Sequence, residues 1–86
     1  IDQIEVDMAE LATISGPYDV VVANILAPVL VSMALDLRRL TAADGVLIIR
    51  HFGNDHQHVI DALAPMQVEH TTIDAGWASI QLTHVH

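Results

Sequence analysis

The sequence predicts an α/β fold with parallel strands and a C-terminal antiparallel hairpin, and three observations support it. Residues 20–23 and 46–49 are continuous apolar runs without alternation, as in strands buried on both faces. Residues 28–40, between them, carry apolar side chains at helical spacing. Residues 77–85 alternate after the tight turn at residues 75–76. Two apolar strands joined by a helix of about a dozen residues form a right-handed parallel βαβ unit.

The first half of the chain supplies the other elements of that unit. Residues 4–6 are predicted as a short strand, and residues 15–17, with the sequence Ser-Gly-Pro, as a turn. Pro28 suits the first turn of a helix, where its missing N–H costs nothing. Residues 38–39 are both Arg, which the helix dipole favours in a last turn. Residues 41–45 are predicted as the stop and turn that follow.

The second half supplies another helix and the hairpin. Residues 50–53 are predicted as the turn into this helix, with Asn54 as N-cap and Gln57 at capping-box spacing. The predicted apolar stripe is Val59, Ile60 and Leu63, and Pro65 ends the helix. Residues 68–73 are predicted to pair with residues 77–85. This order gives two helices for four or five strands, so elements that cover the sheet are expected to lie outside this sequence.

The composition of the chain excludes several classes of protein. The chain has 86 residues, enough for one domain, and at 52% hydrophobic residues it is too apolar to be disordered. Three Arg, no Lys and a net charge of −8 cannot form the basic surface that nucleic acid requires. The absence of Cys excludes a disulfide scaffold. The longest apolar stretch, residues 20–35, is interrupted and too short to span a membrane, and the first residues do not form a signal peptide.

The chain also has more apolar residues than a domain of this size can bury. A chain this short buries only about 60–65% of its unfolded surface. We therefore expect an exposed apolar surface, which leaves homo-oligomerisation open, or contacts with a part of the protein outside this sequence. The start without Met favours a piece of a larger protein.

Candidate site residues follow from the predicted topology. Ligands of open α/β sheets bind outside the carboxyl ends of the parallel strands. Those positions are Asp7-Met8, residues 24–26 and Arg50-His51. Asn24 is a polar amide inside an apolar run, and its alternative role is to cap the next helix. Asp7 can equally be a turn residue, and Met8 and Leu26 can equally be core residues.

The histidines do not indicate a metal site. Imidazole and carboxylate groups bind zinc, but among the clustered residues only His51 and Asp55 have converging spacing, and the predicted helix begins between them. The prediction is a solvated, polar helix start and no metal. The sequence also has no nucleophile elbow and no Gly-rich phosphate loop.

Residues 18–27, Tyr-Asp-Val-Val-Val-Ala-Asn-Ile-Leu-Ala, resemble the central motif of the ribosomal protein L11 lysine methyltransferase family. The family consists of S-adenosylmethionine (SAM)-dependent enzymes of the Rossmann-like class. The Asp7-Met8 pair, the D-G-x-L-I-I strand start at residues 44–49 and Gly76-Trp77 before an apolar strand match its layout. The resemblance covers nearly the whole chain, and the Asn-Ile-Leu segment is its most specific part. Arg50-His51 stand where the family usually has small residues such as Ser-Gly.

The resemblance implies a cofactor, a substrate and roles for individual residues. The cofactor is SAM, the substrate is a lysine or N-terminal amine of a ribosomal protein resembling L11, and the location is cytoplasmic. Asp7 resembles the residue that accepts a hydrogen bond from the adenine amine, and Met8 the residue beside the ring. Asn24 resembles the residue near the methyl donor and target nitrogen, and Ile25 and Leu26 line the way into the site.

The resemblance also implies that the sheet is a partial Rossmann-like methyltransferase sheet. The family's Gly-rich turn after its first strand and the acidic residue after its second are not in this sequence. Residues 1–86 are therefore expected to be the C-terminal part of the catalytic domain, inactive alone. Two alternatives remain open: a non-catalytic α/β dimerisation module, and a methyltransferase of another amine, either a small molecule or a nucleobase.

Overall fold

The computed structural model describes residues 3–6, 16–24, 27–52 and 56–85. Within these ranges, one five-stranded sheet has the strand order β1-β2-β3-β5-β4. Strands β1, β2 and β3 are parallel, and β5 is antiparallel to both β3 and β4. The predicted α/β fold with a C-terminal antiparallel hairpin is confirmed. The elements in chain order are β1 (Gln3–Val6), β2 (Tyr18–Asn24), α1 (Ala27–Ser32), α2 (Ala34–Leu40), β3 (Thr41–Phe52), α3 (His56–Ala62), β4 (Gln67–Asp74) and β5 (Trp77–Thr83).

One face of the sheet forms the core together with the helices. Val21 and Ala23 of β2 are fully buried, and their register partners on β3 are Leu47 and Ile49. Burial of each large aliphatic side chain stabilises the folded state by about 1.5–3 kcal/mol. The predicted stripes of both helices and the alternation of β5 all fall on this core. Its largest fully buried aliphatic side chains are Leu30, Leu37, Leu40, Leu47, Ile49, Leu63, Ile80 and Leu82.

The opposite face of the sheet, called the open face below, is not covered by any described element. Alternate residues of the central strands point there, and Val20, Val22, Val46 and Ile48 are only half-buried. The exposed side chains of Asn24, Arg50, Trp77 and Gln81 share this face at strand positions of the same parity. The aliphatic centre of the open face is therefore only partly accessible, and the expected exposed apolar side chains include Phe52 and Trp77 on the same face.

The single helix predicted over residues 28–40 is two short helices. Met33 separates α1 from α2 with φ −109° and ψ 8°, and its N–H bonds to Leu30 O at 3.0 Å, an i→i−3 contact. Ser32 Oγ donates to Val29 O at 2.7 Å. Ser side chains that bond to the backbone compete with the helical ladder, which accounts for a break at this point.

The turn predicted at residues 41–45 is wrong, because these residues are the first part of β3. Tyr18 pairs with Thr41 and Val20 pairs with Val46, so the additional residues of β3 are accommodated by a register shift. Gly45 makes this possible, since a Cβ there would lie 2.7 Å from Asp19 O and 3.0 Å from Tyr18 O. The Asp-Gly pair marks a bulge within the strand rather than its boundary.

The turn predicted at residues 50–53 is wrong for its first three residues. Arg50, His51 and Phe52 continue β3 because they pair with Ser79, Ala78 and Trp77 of β5. The hairpin itself is confirmed, and its turn residues Ala75 and Gly76 have φ values of 53° and 84°. Two consecutive left-handed residues are typical of a type I′ hairpin loop, whose twist matches that of the strands. Asn54, the predicted N-cap, lies outside the described residues.

None of the helices in the described ranges is long and apolar enough to span a membrane.

Candidate functional site

The carboxyl ends of the parallel strands lie side by side at one end of the sheet. Strand β2 lies between β1 and β3, with Val6 beside Ala23 and Asn24 beside Arg50. This is the position where open α/β sheets bind ligands. Asn24 is therefore an exposed residue at the end of an inner strand.

Four of the five predicted site residues lie outside the described residues. Asp7 and Met8 directly follow the last residue of β1, and Ile25 and Leu26 directly follow the last residue of β2. Their roles in the site remain predictions.

The side chain of Asn24 is exposed on the open face. Its neighbours Val21 and Ala23 point into the core, so Asn24 points to the open face by strand alternation. Among the residues that the structure describes, none forms a hydrogen bond with the Asn24 amide. The alternative role of Asn24 is to cap the next helix. In the described part of α1, no backbone N–H forms a hydrogen bond with its side chain.

A row of polar side chains crosses the open face at the level of Asn24. The register pairs Asn24 with Arg50, Arg50 with Ser79 and Ser79 with Thr72. Side chains directly opposite one another in neighbouring strands share one face of a sheet. The row therefore presents an amide, a guanidinium and two hydroxyl groups in sequence.

Next to this row, the hairpin forms a concave pocket. The next register row joins Phe52, Trp77 and Asp74, and the Phe52 and Trp77 rings meet edge to face with centroids 5.5 Å apart. The pocket has a volume of about 290 Å³. It is called the Arg50 pocket below, and it is lined by Arg50, Thr72, Asp74, Ala75, Trp77, Ala78 and Ser79.

Sequence reasoning identified Arg50 as a strand-end residue but missed the rest of this pocket. Residues 77–85 show the alternation that places Trp77 and Ser79 opposite the core. Thr72 and Asp74 could have been found from the hairpin register. A two-residue loop at residues 75–76 sets which residues of β4 and β5 lie opposite one another.

His51 does not belong to this site. It is 2% exposed and lies on the core face of β3, opposite Ala78, whereas Asn24 and Arg50 point the other way. The prediction that His51 lies in a solvated helix start is wrong, because His51 pairs with β5 and is still part of strand β3. Within the described ranges, no three side chains of His, Asp or Glu converge on a metal site.

A second hollow lies at the other end of the sheet, where the parallel strands begin. It has a volume of about 260 Å³ and contains Asp44, Glu69 and His84. Glu69 Oε1 accepts hydrogen bonds from Gln67 Nε2 and Thr83 Oγ1, both at 2.8 Å, and His84 Nε2 lies 2.9 Å from Thr41 O. These contacts join β4, β5 and β3, so the polar groups here hold strands together.

Comparisons with known proteins point to one family. The family model described as Ribosomal protein L11 methyltransferase (PrmA) matches residues 1–84. A ribosomal protein L11 methyltransferase of Syntrophotalea carbinolica is 45% identical over 65 residues, which cover 74% of this chain and 21% of that protein. One from Moorella thermoacetica is 39% identical over 72 residues, covering 80% of this chain and 23% of that protein.

A solved structure shares the fold. The crystal structure of ribosomal protein L11 methylase from Lactobacillus delbrueckii subsp. bulgaricus matches with a TM-score of 0.79 at 26% identity. The match covers 88% of this chain and 41% of that chain. The chain thus spans about a fifth of the length of the curated relatives, 21% and 23%. The family match over residues 1–84 and these relatives show that the chain belongs to the ribosomal protein L11 methyltransferase family.

Proposed function

We propose that residues 1–86 are the C-terminal part of the catalytic domain of a SAM-dependent protein N-methyltransferase. Its substrates are lysine or N-terminal amines of ribosomal protein L11. The observation that carries this proposal is the exposed Asn24 at the carboxyl end of an inner parallel strand. The family match over residues 1–84 and the names of the relatives support the reaction and the substrate.

The described residues fit a cofactor at this end of the sheet. The Asn24 amide is exposed and has no hydrogen bond within the described ranges, so no internal partner competes for it. In this proposal Asp7 and Met8 hold the adenine, and Asn24, Ile25 and Leu26 line the cofactor on the side of the methyl group. Bound SAM supplies a methyl group that its sulfonium centre already activates.

Asn24 acts by orienting the amine that accepts the methyl group. Its amide oxygen accepts an N–H of the neutral amine, so that the nitrogen lone pair is directed away from Asn24 and toward the methyl carbon. Such alignment of two reactants supplies a large part of the barrier reduction in a displacement reaction. No strong acid or base is required of the side chain.

An uncharged side chain suits this task better than a carboxylate. A carboxylate at the same position would favour the protonated ammonium form, whose lone pair is occupied. Asn24 accepts the same hydrogen bond without stabilising that unreactive form. The net charge of −8 adds a field that attracts a basic protein substrate over longer distances.

The acceptor is tested with the full-length methyltransferase that carries this segment. The protein is incubated with SAM labelled in its methyl group and with ribosomal protein L11, ribosomal RNA or a mixture of small amines in separate reactions. The proposal predicts label in L11, at lysine or α-amine nitrogen after digestion and mass spectrometry. Label only in RNA or in a small amine would overturn the substrate assignment, and no transfer to any acceptor would overturn the activity.

A further inference from the structure

Arg50 is the only Lys or Arg of the sequence that lies on the sheet. The other two, Arg38 and Arg39, belong to α2. Arg38 Nη1 donates to Ala64 O at 2.5 Å, and Arg39 Nη2 lies 3.5 Å from Asp36 Oδ1. The Arg50 side chain is exposed and has no ion pair or hydrogen bond with another residue of the described ranges. The charge of Arg50 therefore has no partner within the described fold.

The neighbours of Arg50 are donors. Ser79 is its register partner on β5, Thr72 is the partner of Ser79 on β4, and both line the Arg50 pocket. Hydroxyl groups rotate to donate to an anion beside a guanidinium. Trp77 lines the same pocket and is 49% exposed, which gives an aliphatic segment a flat apolar surface to lie on.

This combination favours a carboxylate over a phosphate. The planar guanidinium fork binds carboxylates and phosphates alike in bidentate geometry, so the choice between them depends on the charge of the neighbouring side chains. Asp74 also lines the pocket. Its carboxylate repels a phosphate, which carries more than one negative charge, more strongly than it repels a carboxylate, which carries one. Asp74 can instead accept a backbone N–H from the segment that carries the carboxylate.

We propose that the Arg50 pocket binds an acidic side chain of the protein substrate, with Arg50 as a substrate-positioning residue. The inference rests on the proposed function, because it is the protein substrate that supplies the carboxylate. Asn24 and Arg50 are register partners, so their Cα atoms lie about 4.8 Å apart, the spacing of neighbouring strands. A substrate segment with its amine at Asn24 therefore brings a nearby residue to the pocket.

The charge pattern gives the contact a specific role. The chain carries a net charge of −8, so its long-range field attracts basic segments and repels acidic ones. Arg50 is the one Lys or Arg on the described sheet, so within this part of the protein a carboxylate is bound at the Arg50 pocket. Contacts of this kind contribute orientation and register rather than general affinity.

Steady-state kinetics on the full-length enzyme with L11 test the proposal. Arg50→Gln is expected to raise KM about tenfold with kcat within about twofold, the effect of losing one charge-assisted contact used for binding alone. Arg50→Lys is expected to recover part of the loss. The matched control is Arg39→Gln, which removes the same charge from an exposed position on α2 and is expected to leave KM unchanged. An unchanged KM in Arg50→Gln, or an equal rise in Arg39→Gln, would overturn the proposal.

A binding measurement separates this inference from the proposed function. N-acetyl-glutamate N-methylamide and its glutamine counterpart are titrated at millimolar concentrations into wild-type enzyme labelled with ¹⁵N. The glutamate probe is expected to shift the Arg50 Nε–H and Trp77 indole N–H resonances, and the glutamine probe is not. Equal shifts from both probes, or none from either, contradict the carboxylate pocket even if L11 is methylated. Selective shifts without methyl transfer to L11 instead contradict the proposed function and retain the pocket.

Discussion

Asn24 and Arg50 are register partners on β2 and β3, and both side chains lie on the face of the sheet that the described helices leave open. Their strands are parallel and inner, with β1 on one side and β5 on the other. The pair therefore joins two features at one strand end: an amide that suits an amine and a cation that suits a carboxylate. This relationship makes the end of the sheet asymmetric, so that a substrate can be bound in one orientation.

Replacing Asn24 by Asp changes the pH dependence of methyl transfer. A carboxylate within about 4–6 Å of the acceptor amine raises the pKa of that amine by about 1 unit or more. Below this pKa, each unit lowers the neutral fraction about tenfold, so Asn24→Asp is expected to be at least about tenfold slower at pH 8 with a lysine acceptor. The difference in rate between Asn24→Asp and wild type becomes smaller as the pH rises through the pKa of the amine. The measurement is kcat/KM for L11 between pH 7 and 11, and superimposable pH profiles would show that Asn24 is not next to the amine.

The 86-residue chain alone is expected not to bind SAM. The matched parts of the chain cover only 21% and 23% of the curated relatives, and the Gly-rich turn typical of the family is not in this sequence. Isothermal titration of the chain with SAM is expected to give no measurable heat, whereas the full-length protein gives clear binding. Tight binding by the chain would mean that residues 1–86 already form the complete cofactor site.

The hairpin loop depends on the left-handed conformations of its two residues. Gly76→Ala places a Cβ at a residue with φ +84° and 2.8 Å from Phe52 Cε2. The expected loss in the free energy of unfolding is about 1–2 kcal/mol. Ala75→Asn is the matched variant, because Asn tolerates the φ of 53° better than Ala, and it is expected to leave stability unchanged or to increase it. Urea denaturation measures both, and a fully stable Gly76→Ala variant would contradict the type I′ loop.

The bulge in β3 depends on Gly45. Gly45→Ala forces a Cβ to within 2.7 Å of Asp19 O, a backbone atom that cannot rotate away. Overpacking of this kind costs about 1–3 kcal/mol. The same substitution at Gly16 serves as the control, since its new Cβ would lie 3.2 Å from Leu40 Cδ2 and 3.3 Å from Leu40 O, both longer than the 2.7 Å contact at Gly45, and a smaller loss is expected. If both variants lose equal stability in urea denaturation, Gly45 does not have the close contacts described.

The core of the fold could be predicted from the sequence because burial leaves a periodic signal. The continuous runs at residues 20–23 and 46–49 are inner strands, and the helical spacing that ends at Leu40 is a buried stripe. The alternation after Trp77 correctly gave the face of β5 that enters the core. In each case the apolar side chains themselves set the structure, so their spacing reveals it.

The ends of β3 could not be predicted because pairing with other strands sets them. Residues 41–45 contain an Asp-Gly pair that is typical of a turn, yet the ladder to Tyr18 continues past it through a bulge. Residues 50–52 have no strand signal of their own, and only their pairing with β5 extends the strand. Long-range contacts of this kind override local propensity.

The candidate site was predictable only in part for the same reason. Asn24 interrupts an apolar run, so it could be identified along the chain. Thr72, Trp77 and Ser79 reach Arg50 only through the register of two antiparallel pairs. Residues from three strands form this pocket, and no local sequence pattern spans them.

The most direct measurement of the central claim is the rate of L11 methylation by Asn24→Ala in the full-length enzyme. If Asn24 aligns the acceptor amine, kcat/KM is expected to fall about 10- to 100-fold, the size of effect that loss of alignment produces. Gln81→Ala removes another exposed amide from the same face, two positions along β5 from Ser79, and is expected to stay within about twofold of wild type. An Asn24→Ala enzyme as fast as wild type would show that Asn24 is structural and that the site lies elsewhere.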